Sequence, residues 1–139
     1  MGVVVFDADV LIAYLKRDDA NHTAATERIR AAMAPGNQRT VCAVNYSEVL
    51  VGPLRALGAK GGDMVDDMLT RLNIVTIQVD MDLARRAAAV RERTGLKLPD
   101  AYAVATAIHH EHRGHSDVRL ETFDQQVTRR YAELHPLSE

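Results

Sequence analysis

Val3-Val4-Val5-Phe6-Asp7-Ala8-Asp9-Val10-Leu11 is the stretch on which the fold turns. Its first four residues are all apolar and three are β-branched, the pattern of a short strand buried on both faces. Such a strand needs helices above and below it, and therefore belongs in a parallel sheet. The run stops at Asp7. Val10, Leu11, Tyr14 and Leu15 follow at helical spacing, with Asp9 read as the N-cap.

From there strand-like and helical stretches alternate. A second helix is predicted over Asn21 to Ala34, with Ala25, Ile29, Ala32 and Met33 inward and Pro35-Gly36 ending it. Thr40 to Val44 reads as a second strand. Beyond Asn45 a helix kinked at Pro53 carries Val49, Leu50, Leu54 and Leu57 on one face. A flexible loop from Gly58 to Gly62 leads to another helix through Met64, Val65, Met68, Leu69 and Leu72. Ile74 to Val79 is a third strand, and Asp80 caps a helix stopped by Gly95. Pro99 opens a helix with Ala101, Val104, Ala105 and Ile108 on one face. Val118 to Phe123 is a fourth strand, and a last helix starts at Asp124 or Gln125. No final strand is evident after Tyr131.

Strands separated by helices imply parallel pairing through right-handed crossovers. The expected fold is α/β, a three-layer α/β/α sandwich with a mainly parallel central sheet. Ligands of such sheets bind beyond the carboxyl ends of the strands. Asp7 and Asp124 stand at those ends.

The 139 residues suit one domain spanning 1–139, with no repeat or linker to divide it. Cys42 is the only cysteine, so an internal disulfide and a thiolate metal site are excluded, and a reducing cytoplasm is favoured. No apolar run approaches the ~20 residues of a membrane span, and no secretory signal is recognisable. The chain reads as soluble, with no membrane partner. Its net charge of -2 argues against simple electrostatic wrapping of nucleic acid. With four of the 19 acids withdrawn as metal ligands, however, 15 remain against 17 basic residues, and an RNA substrate is compatible with that balance.

Four acids occur at element boundaries beside apolar runs. Asp7 follows the first strand, Glu48 lies in the first turn after the second, Asp100 follows Pro99, and Asp124 follows the fourth strand. Each alone is an ordinary cap or a solvated acid. Together, without cations, they would repel one another and raise at least one pKa. Hard divalent ions remove that conflict, and an all-oxygen donor set suits Mg2+ or Mn2+. Two such ions can clamp the attacking and leaving oxygens of a phosphodiester.

These stretches resemble the motifs of PIN-domain nucleases. The run from Val4 to Ala13, with an aspartate ending the first strand, resembles their opening. Ser47-Glu48 followed by Val49-Leu50-Val51-Gly52 looks like their second motif. Leu98-Pro99-Asp100 before an alanine-rich helix resembles the third, and Thr122-Phe123-Asp124 the fourth. The resemblance covers nearly the whole chain, and its size is most like the toxins of VapBC-type toxin–antitoxin pairs. It implies a metal-dependent endoribonuclease, a hydrolase, with Asp7, Glu48, Asp100 and Asp124 as the catalytic and metal-holding set. Thr122 and Ser47 would support them by hydrogen bonding. It further implies a small antitoxin protein that occludes the site from an apolar groove, with Leu11, Tyr14 and Leu15 as candidate walls, and a homodimer. Asp9 departs from the motif, which usually has Ser, Thr or Asn there, and is read as a cap.

Two rival readings stand beside this one. Asp7 and Asp9 resemble the DxD pair of haloacid-dehalogenase-type phosphatases, with Asp63, Asp66 and Asp67 as a late acidic motif. That motif should follow a strand, and this reading leaves Glu48 and Asp100 unexplained. A catalytically silent PIN-like scaffold is the other, although none of the four acids is missing. His109, His110, His112 and His115 read as a solvated helix end. Arg85, Arg86, Arg91 and Arg93 read as a solvated face.

Overall fold

The structure is a computed structural model and describes residues 2–134. The elements run β1 (Val3–Phe6), α1 (Ala8–Leu15), α2 (His22–Ala32), β2 (Gln38–Cys42), α3 (Ala43–Leu57), α4 (Ala59–Arg71), β3 (Ile74–Ile77), α5 (Met81–Thr94), α6 (Leu98–His112), β4 (Val118–Glu121) and α7 (Gln125–Leu134). Four strands pair in the order β3-β2-β1-β4, and every pairing is parallel.

Strand alternation sorts the core into two halves. Val4 and Phe6 of β1, with Val41 and Ile74, pack against α1, α2 and α4 through residues such as Leu11, Ile29 and Met68. Val3 and Val5 face the other way, onto Ala107 of α6. Cys42 lies on that same side, in a cluster with Leu83, Val104 and Val127 from α5, α6 and α7. All four residues of β1 are buried, as a strand enclosed by two helical layers requires. The result is the expected three-layer α/β/α sandwich.

Arg39 is the exception inside that apolar half. Its guanidinium donates to the carbonyls of Leu72 (2.8 Å), Ala32 (3.0 Å) and Asn37 (3.3 Å). A buried cation is tolerable there because it meets the unpaired carbonyls at the C-terminal ends of α2 and α4.

Several boundaries differ from the sequence-based expectation. β2 begins at Gln38 and ends at Cys42, so Ala43 and Val44 open α3 rather than close the strand. β3 stops at Ile77 and β4 at Glu121. Met33 caps the end of α2 and is exposed. The glycine-rich segment is not a loop. Gly58, at φ 65°, is the single break, and residues 59–62 already belong to α4. Leu54 and Leu57 remain exposed rather than joining the core: Leu57 lines an open groove, and Leu54 lies over Gly62 of α4. Asp80 accepts from the Leu83 amide, Gly95 adopts the left-handed conformation, and Pro99 sits in the first turn of α6, all as the sequence predicts. Tyr131 to Leu134 continue α7. The rest of the predicted strandless tail lies outside the described residues.

Candidate metal centre

Asp7 leaves β1 with its amide donating to the Glu121 carbonyl of β4 at 2.9 Å, so the two strand ends are laced together where the site forms. α1 begins at the next residue with no loop between, which makes Asp7 the N-cap: its Oδ1 accepts from the Ala8 amide at 2.8 Å. Asp9 is therefore not the cap. It lies in the first turn of α1, and its Oδ2 accepts from the Phe123 amide at 2.9 Å. The correction is geometric: with the helix starting directly off the strand, the cap falls two residues earlier and Asp9 is turned toward the β4–α7 connection.

Thr122 joins these acids. It is buried, and its hydroxyl stands 2.9 Å from Asp7 Oδ2 and 3.3 Å from Asp9 Oδ2 while accepting from the Asp124 amide at 3.1 Å. Asp124 in turn caps α7, its Oδ1 accepting from Gln126 and Val127. On the other flank Glu48 is held by Asn45, whose Nδ2 donates to Glu48 Oε1 and to the Pro99 carbonyl, both at 3.0 Å. Pro99 directly precedes Asp100, so one buried amide ties the Glu48 and Asp100 segments together. Ser47 does not join the group; its hydroxyl donates to the Val44 carbonyl on an exposed surface.

The electrostatics reflect this crowding. Burial, then the neighbouring Asp9, push the Asp7 carboxyl up to about 7, although hydrogen bonds from Thr122 and Ala8 act in the opposite direction. Asp9 is raised by burial, with Asp124 adding to it. Asp100 is raised by burial and by Asp124, Glu48 and Asp9. The like-charge influences link Asp7, Asp9, Glu48, Asp100 and Asp124 into one group. Asp7 and Asp124 cap α1 and α7, and Asp9 and Asp100 lie in the first turns of α1 and α6, so the positive ends of these helices offset part of the repulsion. Glu48, expected in the first turn of its helix, lies beyond it, because α3 already starts at Ala43.

Among the described residues, no three His, Cys, Asp or Glu side chains are gathered tightly enough to hold a single ion as they stand. The donor set nevertheless fits a hard divalent cation. It is all oxygen, burial and then neighbouring acids raise the carboxyls of Asp7, Asp9 and Asp100, and Asp9 Oδ1 is buried with no hydrogen-bond partner. A buried, orphaned carboxylate oxygen is what a cation would satisfy.

Thr122→Val removes the hydroxyl that fixes Asp7 and Asp9 while keeping the side-chain shape. Cation affinity is expected to fall by about 10–100-fold, the usual cost of losing an outer-shell partner, as read by Mn2+ titration.

The histidine cluster lies elsewhere. His110 is not solvated: it is buried, with Nε2 3.0 Å from the Thr40 hydroxyl, because β2 register aims Thr40 at α6. Burial, then His109 and His115, lower it to about 4, so the ring is neutral at physiological pH. Of the four arginines on α5, Arg91 is engaged with the Leu96 carbonyl at 2.8 Å. Asp63, Asp66 and Asp67 lie inside α4, with no strand before them, and Asp66 accepts from Tyr46. The phosphatase arrangement is not assembled.

An apolar groove of about 660 Å³, walled by Ile12, Leu15, Val51, Pro53, Leu57 and Met64, reaches the cluster at Glu48. Leu11 is fully buried in the core, and Tyr14 stacks on His22, so of the three expected walls only Leu15 lines it.

A parallel sandwich with a carboxylate cluster over the strand ends defines an α/β protein with an acidic site at its strand edge. The domain model that matches residues 4–134 is the PIN domain, and the chain belongs to the PIN-domain family. Among curated proteins, none matches significantly. Solved structures do. A toxin–antitoxin complex from Klebsiella pneumoniae is similar at 27% identity and a TM-score of 0.64, over 88% of this chain and 87% of that one. VapC20 of Mycobacterium tuberculosis, a sarcin–ricin-loop-cleaving toxin, shares the fold at 17% identity and TM-score 0.66, over 90% and 94%. VapBC-1 of nontypeable Haemophilus influenzae does so at 13% and 0.67, over 94% and 93%.

Proposed function

We propose that this chain is a Mg2+- or Mn2+-dependent endoribonuclease and the toxin of a toxin–antitoxin pair, acting as a single domain in the cytoplasm. The observation that carries the reading is the acid cluster itself, five electrostatically linked carboxylates at the carboxyl edge of the sheet, with Thr122 joining Asp7 and Asp9. Asp7, Glu48, Asp100 and Asp124 hold the cation, and Asp9 joins them through its orphaned oxygen. A divalent ion bound there supplies Lewis-acid charge for hydrolysis of an RNA phosphodiester. The chain's own residues do the positioning. Thr122 fixes Asp7 and Asp9, and Asn45 orients Glu48 against the Asp100 segment. The N-terminal ends of the surrounding helices favour an approaching phosphate.

The apolar groove beside Glu48 supports an antitoxin as partner, because an amphipathic segment laid in it would reach the edge of the acid cluster at Glu48. A homodimer is part of the same proposal. No helix among the described residues is long and apolar enough to cross a membrane.

Metal-stripped protein incubated with total RNA is expected to cleave only after Mg2+ or Mn2+ is restored. Asp100→Asn is expected to reduce that cleavage by about 10²-fold, the scale for removing one electrostatic contributor. Equal cleavage by both proteins would rule the site out.

Stability carries a second signature. Asp7 has a folded pKa of about 7, above its unfolded value of 3.8, so the folded state holds its proton more tightly and gains stability at low pH. That gain is lost as pH rises from about 4 through 7, and Asp9 and Asp100 act in the same direction. His110, lowered to about 4, acts the opposite way below pH 6.5, and a comparison with Asp7→Asn, which keeps His110, cancels that contribution. Metal-free wild type is therefore expected to melt lower relative to Asp7→Asn at pH 8 than at pH 5.5. Mn2+ at about 100 times its Kd should restore roughly 2.7 kcal/mol at pH 8, and less at pH 5.5, where protons compete. Thermal melts at both pH values, with and without Mn2+, check this.

A further inference from the structure

One guanidinium grips three consecutive residues just outside the acid cluster. Arg28, in the middle of α2, donates from Nη1 to the Thr122 carbonyl at 2.8 Å and to Glu121 Oε1 at 3.2 Å. Its Cζ stands 4.7 Å from the centre of the Phe123 ring. The inner side of the same segment faces the acids: the Thr122 hydroxyl meets Asp7 and Asp9, and the Phe123 amide donates to Asp9. The connection from β4 to α7 is thus held between α2 and the carboxylates.

We propose that Arg28 is a positioning residue for the cation site, an inference that rests on the reading given above. It acts through the backbone rather than through its charge. Glu121 neutralises it locally, and the leading influences on Asp7, Asp9 and Asp100 are burial, hydrogen bonds, the other acids and Lys97, with Arg28 not among them. Fixing the Thr122 carbonyl sets the rotation of the Thr122–Phe123 peptide, and with it the amide that Asp9 accepts from. Fixing the Phe123 ring sets the start of α7, and hence Asp124. An arginine does this because it offers a rigid fork of N–H groups and a flat face together; a lysine's rotatable ammonium has neither the fork nor the face.

Arg28→Lys and Phe123→Leu in the full chain test it. Each is measured by Mn2+ titration, by amide exchange at residues 122–124 and in β1, and by kcat and KM on RNA. Arg28→Lys is expected to weaken Mn2+ binding at least about tenfold and to accelerate exchange at Phe123 and Asp124 while β1 stays protected. Its kcat should fall with KM within about twofold, as loss of a group acting only on the acids requires. Phe123→Leu should move the same readouts by a smaller factor, and it carries the test alone if Arg28→Lys does not fold. Unchanged Mn2+ affinity and local exchange in both variants would overturn the inference, as would a rise in KM alone, which marks an RNA contact. Wild-type protein that binds no Mn2+ overturns the carboxylate reading and this inference together. Binding by wild type and variants alike overturns this inference only.

Discussion

Asp7→Asn is expected to lower RNA cleavage by at least about 10³-fold, at the upper end for one electrostatic contributor, while making the metal-free protein more stable at pH 8. The two effects have one cause. Asp7 is buried beside Asp9, and ionising it there costs enough to push its pKa up to about 7. Asparagine is nearly the same shape. Its oxygen can still cap α1 at the Ala8 amide, and its amide can donate to the Thr122 hydroxyl or to Asp9. The buried charge disappears, and with it the main reason for a cation to bind. At about 1.4 kcal/mol per tenfold, the stabilisation at pH 8 is on the order of 2–4 kcal/mol; it shrinks as pH falls below about 7 and vanishes only near pH 4, where the carboxyl is protonated in the unfolded chain as well. Denaturant melts of both proteins at the two pH values, run beside the cleavage assay, separate this outcome from simple misfolding. Loss of activity together with loss of stability would mean that Asp7 is only a cap.

Gly61→Ala is expected to cost at least about 3 kcal/mol, the severe end for overpacking a core, while Gly62→Ala is neutral or stabilises by up to about 1 kcal/mol. A Cβ on Gly61 would stand 2.0 Å from the Pro53 carbonyl oxygen and 2.3 Å from its carbon, so the backbones of α3 and α4 would have to part. A Cβ on Gly62 meets only Leu54 Cδ2 at 3.5 Å, an ordinary contact. Both glycines lie inside α4, so backbone strain plays no part in the contrast. Because α3 carries Glu48, Gly61→Ala should also weaken Mn2+ binding, whereas Gly62→Ala should not. Urea titrations of the two variants check the energetic half directly.

The fold was legible because its instructions are local. Val3 to Phe6 allow little besides a doubly buried strand, and Asp80, Gly95 and Pro99 mark helix ends by side-chain chemistry that acts within a turn. Asp7 was legible for the same reason, as the first polar residue after an apolar run, and Asp124 because it directly follows the fourth predicted strand. What the sequence hid depends on distant partners. Asp9 looks like a cap until the Phe123 amide, far along the chain, is brought beside it. Asn45 in the sequence only marks where a helix is expected to follow. Only once α3 is known to start at Ala43 does it fall three residues before Glu48 on one helical face, where it can hold that carboxylate. His110 looks solvated until strand register supplies Thr40. Leu54 and Leu57 have the right period, but period alone does not say whether a face meets the core or an open groove.

The central claim is that the carboxylates at the end of β1, in α3, at the start of α6 and after β4 hold a divalent cation together. Crystals soaked in Mn2+ and measured at the manganese absorption edge test it most directly. The expected anomalous map has its strongest density among Asp7, Asp9, Glu48, Asp100 and Asp124, and that density is absent in Asp7→Asn. Density confined to the histidines at the end of α6, or none at a saturating concentration, would contradict the account.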